Sequence, residues 1–151
     1  MDEDATDLPR NYRLKALLLV EFYLRMSRLL TDSRGHDLEK IIIYLAVISA
    51  AANHYRRDPE LLALYAHDAP IPQDRLFGIS RRAIADSVGL PRETVRRKIA
   101  ALISDGLVLE EDGQVTPKSP MLDQEGNLKL ALNMLKAFEA TQAAYRRADE
   151  G

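Results

Sequence analysis

The sequence predicts a mainly α fold: a helical N-terminal layer, a helix-turn-helix followed by a small β-ribbon, and a C-terminal helix. Three observations carry this. Apolar residues recur at helical spacing over 14–30 and again, almost without interruption, over 38–56. Within SRRAIADSVGLPRETVRRKIA (Ser80 to Ala100), the apolar set Ile84, Val88, Leu90, Val95 and Ile99 changes register around Gly89-Leu90-Pro91. Two short amphipathic helices therefore meet at an angle across a tight turn. Directly behind them, Leu107-Val108-Leu109 and Gln114-Val115-Thr116 flank a turn over Glu110-Glu111-Asp112-Gly113, the order of a strand, an Asp-Gly turn and a strand.

Taken in order, residues 1–11 carry Asp2, Glu3, Asp4 and Asp7 with little apolar content, and are expected to form a disordered acidic tail. Leu14 to Leu30 reads as a helix with a broad apolar stripe (Leu14, Leu17, Leu18, Phe22, Leu29), with Lys15, Glu21, Arg25 and Arg28 on the remaining face. The breakers Thr31 to His36 make a loop, and Asp37 caps the next helix, Leu38 to Arg56. Its core, IIIYLAVISAAA, is apolar almost all round but falls well short of the ~20 residues a bilayer span requires. A buried central helix is expected, with Ala46, Ser49, Ala50, Ala51 and Ala52 letting a second helix approach closely. Asp58-Pro59-Glu60 starts a short helix, Leu61 to Ala66, and the prolines of 67–72 stiffen the connector that follows. Leu76 to Ile79 reads as a short strand, and Ser80 caps the first motif helix. Ala85 stands where the motif helices cross, Gly89 opens the turn, and Pro91 suits the first turn of the second helix, Pro91–Ile103. After a polar linker, Pro117 to Gly126, Asn127 caps a last helix, Leu128 to about Arg147, whose Leu128, Ala131, Leu135, Phe138 and Tyr145 approximate a heptad seam. The expected divisions are 1–11, a helical layer over 12–72, the helix-turn-helix with its ribbon over 73–118, and the linker and last helix over 119–151.

Composition limits the function. The chain has 151 residues and a formal charge of −2, so any attraction to a polyanion must come from a local patch. Such a patch exists: between Arg81 and Ala100, six basic side chains (Arg81, Arg82, Arg92, Arg96, Arg97, Lys98) stand against Asp86 and Glu93. Without cysteine there is no disulfide framework, thiolate zinc site or thiol redox sensor. His36, His54 and His67 are scattered away from metal-ligand spacing, no glycine-rich phosphate loop appears, and no nucleophile has a neighbouring base. We therefore expect no enzyme, no metal and no cofactor. The first residues lack the basic-then-apolar order of a secretion signal, and a cytoplasmic location is expected.

The run Gly-Leu-Pro-Arg-Glu-Thr-Val-x-Arg, together with the opening Ser80-Arg81-Arg82-x-Ile84-Ala85, resembles the winged helix-turn-helix DNA-binding domain of bacterial catabolite-activator (Crp/Fnr) regulators. The resemblance covers roughly residues 76 to 117, less than a third of the chain. It implies that Arg92, Glu93 and Arg97 reach base edges in the major groove, and that Thr94 with Ser80 and Arg81 holds the phosphate backbone. It departs at Lys98, where the family has an apolar residue, and the cyclic-nucleotide domain of that family has no counterpart here. Independently, Arg82, Arg96 and Lys98 join the outward basic face by helical spacing.

The expected function is sequence-specific binding of double-stranded DNA by a transcriptional regulator. Arg pairs with guanine and Glu accepts from cytosine, so a G·C-containing half-site is expected. One recognition helix binds weakly, so a homodimer on paired half-sites is expected, joined through the apolar layer from Leu14 to Arg56, the last helix, or both. The acids Glu110, Glu111 and Asp112 at the ribbon tip would be repelled by phosphate, so the ribbon either stays off DNA or turns its acids toward the protein. Two other readings stay open: a winged-helix adaptor that binds another protein, as in replication or partition, and a ligand-sensing repressor. In the second, Tyr12, Tyr23, Tyr44, Tyr55 and Tyr65 would line an effector pocket in the helical layer.

Overall fold

The computed structural model describes residues 8–66, 70–118 and 125–151. They form a mainly helical chain with one small antiparallel sheet: α1 (Tyr12–Arg34), α2 (Leu38–Arg57), α3 (Pro59–Tyr65), a 3-10 turn (Gln73–Arg75), β1 (Ile79–Ser80), α4 (Arg81–Val88), α5 (Arg92–Ser104), β2 (Val108–Glu111), β3 (Gln114–Pro117) and α6 (Glu125–Glu150). The chain divides into two compact units, residues 1–35 with 129–151, and residues 36–128. This differs from the expected division at 72/73 and 118/119. α1 and α2 fall in different units, and Ile43, Tyr44 and Val47 of α2 belong to the core of the second.

In the first unit, α1 and α6 run antiparallel. Lys15 pairs with Asp149, Asn11 donates to the Ala148 carbonyl (2.6 Å), and Arg10 donates to that of Gly151 (2.9 Å). Farther along, Phe22 meets Phe138 edge-on at 6.1 Å. Lys15, expected on a polar face, is 8 % exposed, with its ammonium beside Asp149 and 5.0 Å from the Tyr145 ring, because α6 lies over that side of α1. Residues 1–7 of the expected disordered tail lie outside the described residues; Arg10 and Asn11 are instead tied to the end of α6. α1 also continues through Thr31 to Arg34, the expected loop. Thr31 Oγ1 bonds back to the Arg28 carbonyl, which polar residues do without breaking a helix, and the stop comes at Gly35. α6 begins at Glu125, so Asn127 lies in its first turn instead of capping it; extending a nucleated helix by one turn is cheap.

The second unit is built on one apolar cluster: Ile43, Tyr44 and Val47 of α2, Ile84 and Ala85 of α4, Val95, Ile99 and Leu102 of α5, Val108 of β2 and Val115 of β3. Asp37 starts α2 by accepting from the Lys40 amide (3.0 Å), and Asp58 starts α3 by accepting from the Glu60 and Leu61 amides. α3 thus begins at Pro59, before the expected Leu61. The sheet has strand order β1-β3-β2, with Ile79 opposite Val115 and Glu110 opposite Val115 on the other side. The strand expected over Leu76 to Ile79 is confined to Ile79–Ser80. Leu76 is buried at its start, and Phe77 is exposed against the His54 ring. Burial pushes the Tyr55 phenol up, and its hydroxyl donates to the Arg75 carbonyl, closing the 3-10 turn onto α2.

α4 ends where Gly89 adopts φ 70°, a left-handed conformation that a side chain would strain, and its N–H closes on the Ala85 carbonyl. Pro91 then precedes α5 instead of opening it, with its carbonyl accepting from Val95 N, so α5 starts at Arg92. The ribbon turn is tighter than the expected Glu110 to Gly113. Asp112 and Gly113 have φ 50° and 73°, the mirror-image turn whose twist suits a hairpin, and this puts Glu110 and Glu111 within β2.

Ile99 is fully buried at the centre of the cluster. Ile99→Ala should lower the unfolding free energy by about 3 kcal/mol in a urea titration, the cost of a cavity that its β-strand and helix neighbours cannot close.

Candidate functional site

The openings of α4 and α5 lie side by side because the Gly89 turn folds the chain back at the end of α4. Between them is an open cleft of about 250 Å³ lined by Arg81, Arg82, Arg92, Glu93 and Arg96. Four cations and one carboxylate thus share one concavity. The α5 face that borders it is dictated from behind: Val95, Ile99 and Leu102 are 0–1 % exposed, so Arg92, Glu93, Arg96 and Arg97 are left in solvent.

The side chains divide by what already holds them. Arg82, Arg92 and Arg97 are exposed and make no ion pair among the described residues. Arg96 grips Glu93 through two parallel bonds, Nε to Oε2 at 2.9 Å and Nη2 to Oε1 at 2.6 Å. The Arg96 guanidinium holds the Glu93 carboxyl below the usual carboxylate range, and Glu93 in turn raises Arg96. Both are open to solvent, so this fork orients the side chains more than it stabilises the fold. Arg81 makes a similar fork with Glu110 of β2, at 2.7 and 2.9 Å. Ser80 Oγ accepts from the Ala83 amide at 3.1 Å as the cap of α4, and its hydroxyl proton remains free to be donated. Thr94 is half-buried at the edge of the buried stripe.

Lys98 is the exception among the residues expected on the outward face. Its side chain is 20 % exposed and turns toward α2, where the ammonium lies 2.6 Å from Asp37 Oδ2 and 4.0 Å from Glu39 Oε1. The reason is its place on the helix: it adjoins Ile99 and follows Val95 by three residues, so it leaves the helix on the side that α2 covers. A second pair, Lys40–Asp105 at 2.5 Å, links α2 to the end of α5. The ribbon acids are likewise reassigned. Glu110 faces Arg81, while Glu111 ends β2 and Asp112 occupies the turn.

Sequence reasoning missed Asp37 and Glu110 as partners of site residues. The Glu93–Arg96 pair was available from its i, i+3 spacing, but the other two connect residues 61 and 29 positions apart, and only the fold brings them together. The five tyrosines do not form one group: Tyr12 and Tyr23 belong to the first unit, and Tyr44, Tyr55 and Tyr65 to the second, where Tyr55 and Tyr65 stack edge-on at 5.6 Å. His67 lies outside the described residues, and His54 stacks on Phe77 at 4.0 Å. Asp58, four residues from His54, is engaged as the cap of α3. Among the described residues no group of three or more His, Asp or Glu is placed to hold a metal ion, and no helix is long and apolar enough to cross a membrane.

The hydrogen bond from Lys98 holds Asp37 below the usual carboxylate range. A depressed folded-state value means that the pair's contribution is fully present above the unfolded value, about pH 4, and is lost as pH falls through the folded value. Asp37→Asn keeps the cap of α2 but removes the charge. Unfolding measured from pH 7 to pH 2 should show the variant less stable at neutral pH by up to about 1 kcal/mol, with the difference vanishing in acid.

Compared with known proteins, the chain matches no family model, no curated protein and no solved structure.

Proposed function

We propose that this chain is a sequence-specific double-stranded DNA-binding regulator of transcription, a winged helix-turn-helix protein that reads the major groove with α5 and acts as a dimer. The observation that carries the reading is the state of the cations on the α4–α5 face. Arg82 on α4 and Arg92 and Arg97 on α5 are exposed and lack ion-pair partners among the described residues, and the other side of α5 buries Val95, Ile99 and Leu102. On a chain with net charge −2, such local segregation of positive charge suits a polyanion that is approached from one side.

Within this reading the side chains take different tasks. Arg92 and Arg97 donate bidentately to guanine edges, and Glu93, kept ionised and held in orientation by Arg96, accepts from cytosine N4. Arg82 and the Ser80 hydroxyl meet phosphates at the opening of α4. Arg81 is already shared with Glu110, which removes one acid from the ribbon and leaves Asp112 and Glu111 near its turn. The ribbon then stays clear of the phosphates. Lys98 has no DNA role here; it braces α5 against α2.

Selection of bound sequences from a random duplex pool at physiological salt tests the reading directly. A G·C-containing, two-fold symmetric consensus is expected; recovery of no consensus would refute it. Arg97→Ala should cost about 1–3 kcal/mol and relax preference at one position, whereas Arg82→Ala should weaken all sequences alike and reduce the salt dependence by about one phosphate, as read from titrations at several salt concentrations.

A further inference from the structure

We infer that Glu110 of β2 is a positioning residue that takes the charge of Arg81 out of the face offered to a polyanion, so that this face neutralises one phosphate fewer than it would without that acid. The inference deepens the proposed function and rests on it, since it concerns how the same surface meets duplex DNA. Strand alternation singles out Glu110 among the ribbon acids. Val108 is fully buried in the core and Glu110 lies two residues on, so both side chains leave β2 on the side that packs against the helices, while Leu109 and Glu111 leave on the other. The register agrees. Glu110 stands opposite Val115, itself fully buried, and Val115 is flanked on its other side by Ile79 of β1, two residues before Arg81. The sheet therefore delivers the carboxylate to the opening of α4, where the Ser80 cap fixes the backbone that carries Arg81.

The product is a fork of two bonds, from Arg81 Nε and Nη2 to the two Glu110 oxygens at 2.7 and 2.9 Å, between side chains 38 % and 25 % exposed. The other fork on this face, Arg96 with Glu93, is 55 % and 70 % exposed and joins neighbours on one helix. Water screens a pair more as its exposure rises, so the Arg81–Glu110 fork is the one that persists when a phosphate approaches. A phosphate seeking the same two N–H groups would have to displace a carboxylate that the sheet holds against them. Affinity for a polyanion depends on unpaired cations, because each one that meets a phosphate releases a condensed counterion. Arg82, Arg92 and Arg97 are unpaired among the described residues and fill that role. Arg81 keeps the N–H groups of Nη1 as directed donors, but its charge is balanced by Glu110. The phosphate contact that the sequence resemblance implies for Arg81 is thereby withdrawn in this chain.

The test is a titration of the full chain with a random-sequence duplex of about 20 base pairs, between about 50 and 200 mM salt. Glu110→Gln keeps the size of the side chain and one acceptor but releases the charge of Arg81. It should bind more tightly than wild type and steepen the salt dependence by about one phosphate, so that its advantage is about threefold larger at the low-salt end than at the high. Glu111→Gln removes the same charge from the other side of β2 and should leave the slope unchanged. Arg81→Ala combined with Glu110→Ala removes the pair as a unit and should also keep the wild-type slope; if that double variant fails to fold, the two glutamine variants decide alone. A Glu110→Gln slope equal to that of wild type, an equal steepening by Glu111→Gln, or a folded double variant that has lost one phosphate would each overturn the inference. Duplex binding that meets these expectations while selection recovers no consensus would refute the proposed function and leave the role of Glu110 standing. A consensus together with an unsteepened Glu110→Gln slope would do the reverse, and no duplex binding by any variant would refute both.

Discussion

Val95, Ile99 and Leu102 occupy one face of α5 at i, i+4 and i+7, and their burial against α2, α4 and the ribbon sets the rotation of that helix about its axis. Everything on the opposite face follows from it. Arg92, Arg96 and Arg97 are outside because no other rotation keeps three apolar side chains at 0–1 % exposure. The pairs Lys98–Asp37 and Lys40–Asp105 flank the same contact between α2 and α5, so charge reinforces a rotation that apolar burial has already chosen. Each pair is partly solvent-exposed and worth little in energy; their contribution is to register.

The cations around the cleft are held in three different ways. Glu110 anchors Arg81 from the ribbon, Glu93 anchors Arg96 from within the helix, and Arg82, Arg92 and Arg97 extend into solvent. A guanidinium already held by a bidentate carboxylate loses less freedom when it meets a further partner, and a carboxylate so held stays ionised and oriented. A surface with both kinds of cation combines fixed groups, which suit a geometric readout, with free ones, which suit a diffuse negative charge.

The two units use apolar residues differently. In the second unit a short stretch of helix, turn and strand buries branched side chains completely, and its helices are capped in turn by Asp37, Asp58 and Ser80. In the first, two long helices touch along one side and leave leucines on the others. Apolar residues at helical spacing thus produce a closed core in one place and exposed leucines in the other. What differs is the number of elements that surround them, and a pair of helices can cover only a narrow stripe on each.

The local signals for the α4–α5 pair were fully legible: the register change at Gly89-Leu90-Pro91, the cap at Ser80 and the Asp-Gly turn are each set by short-range backbone preferences, and these act within a few residues. Helix limits were less so. Thr31 to Arg34 and Glu125 to Asn127 have mixed preferences, which an adjoining nucleated helix overrides. Partners were not legible at all. That Lys15 lies under α6, that Lys98 turns to Asp37, that Glu110 faces Arg81, and that α2 packs with α5 while α1 packs with α6 depend on contacts between residues far apart in the chain. Periodicity along the sequence determined which residues of each helix are apolar and which charges share its outer face; only tertiary packing decided which neighbour covers each face, because a single helix is equally content with any apolar surface that excludes water.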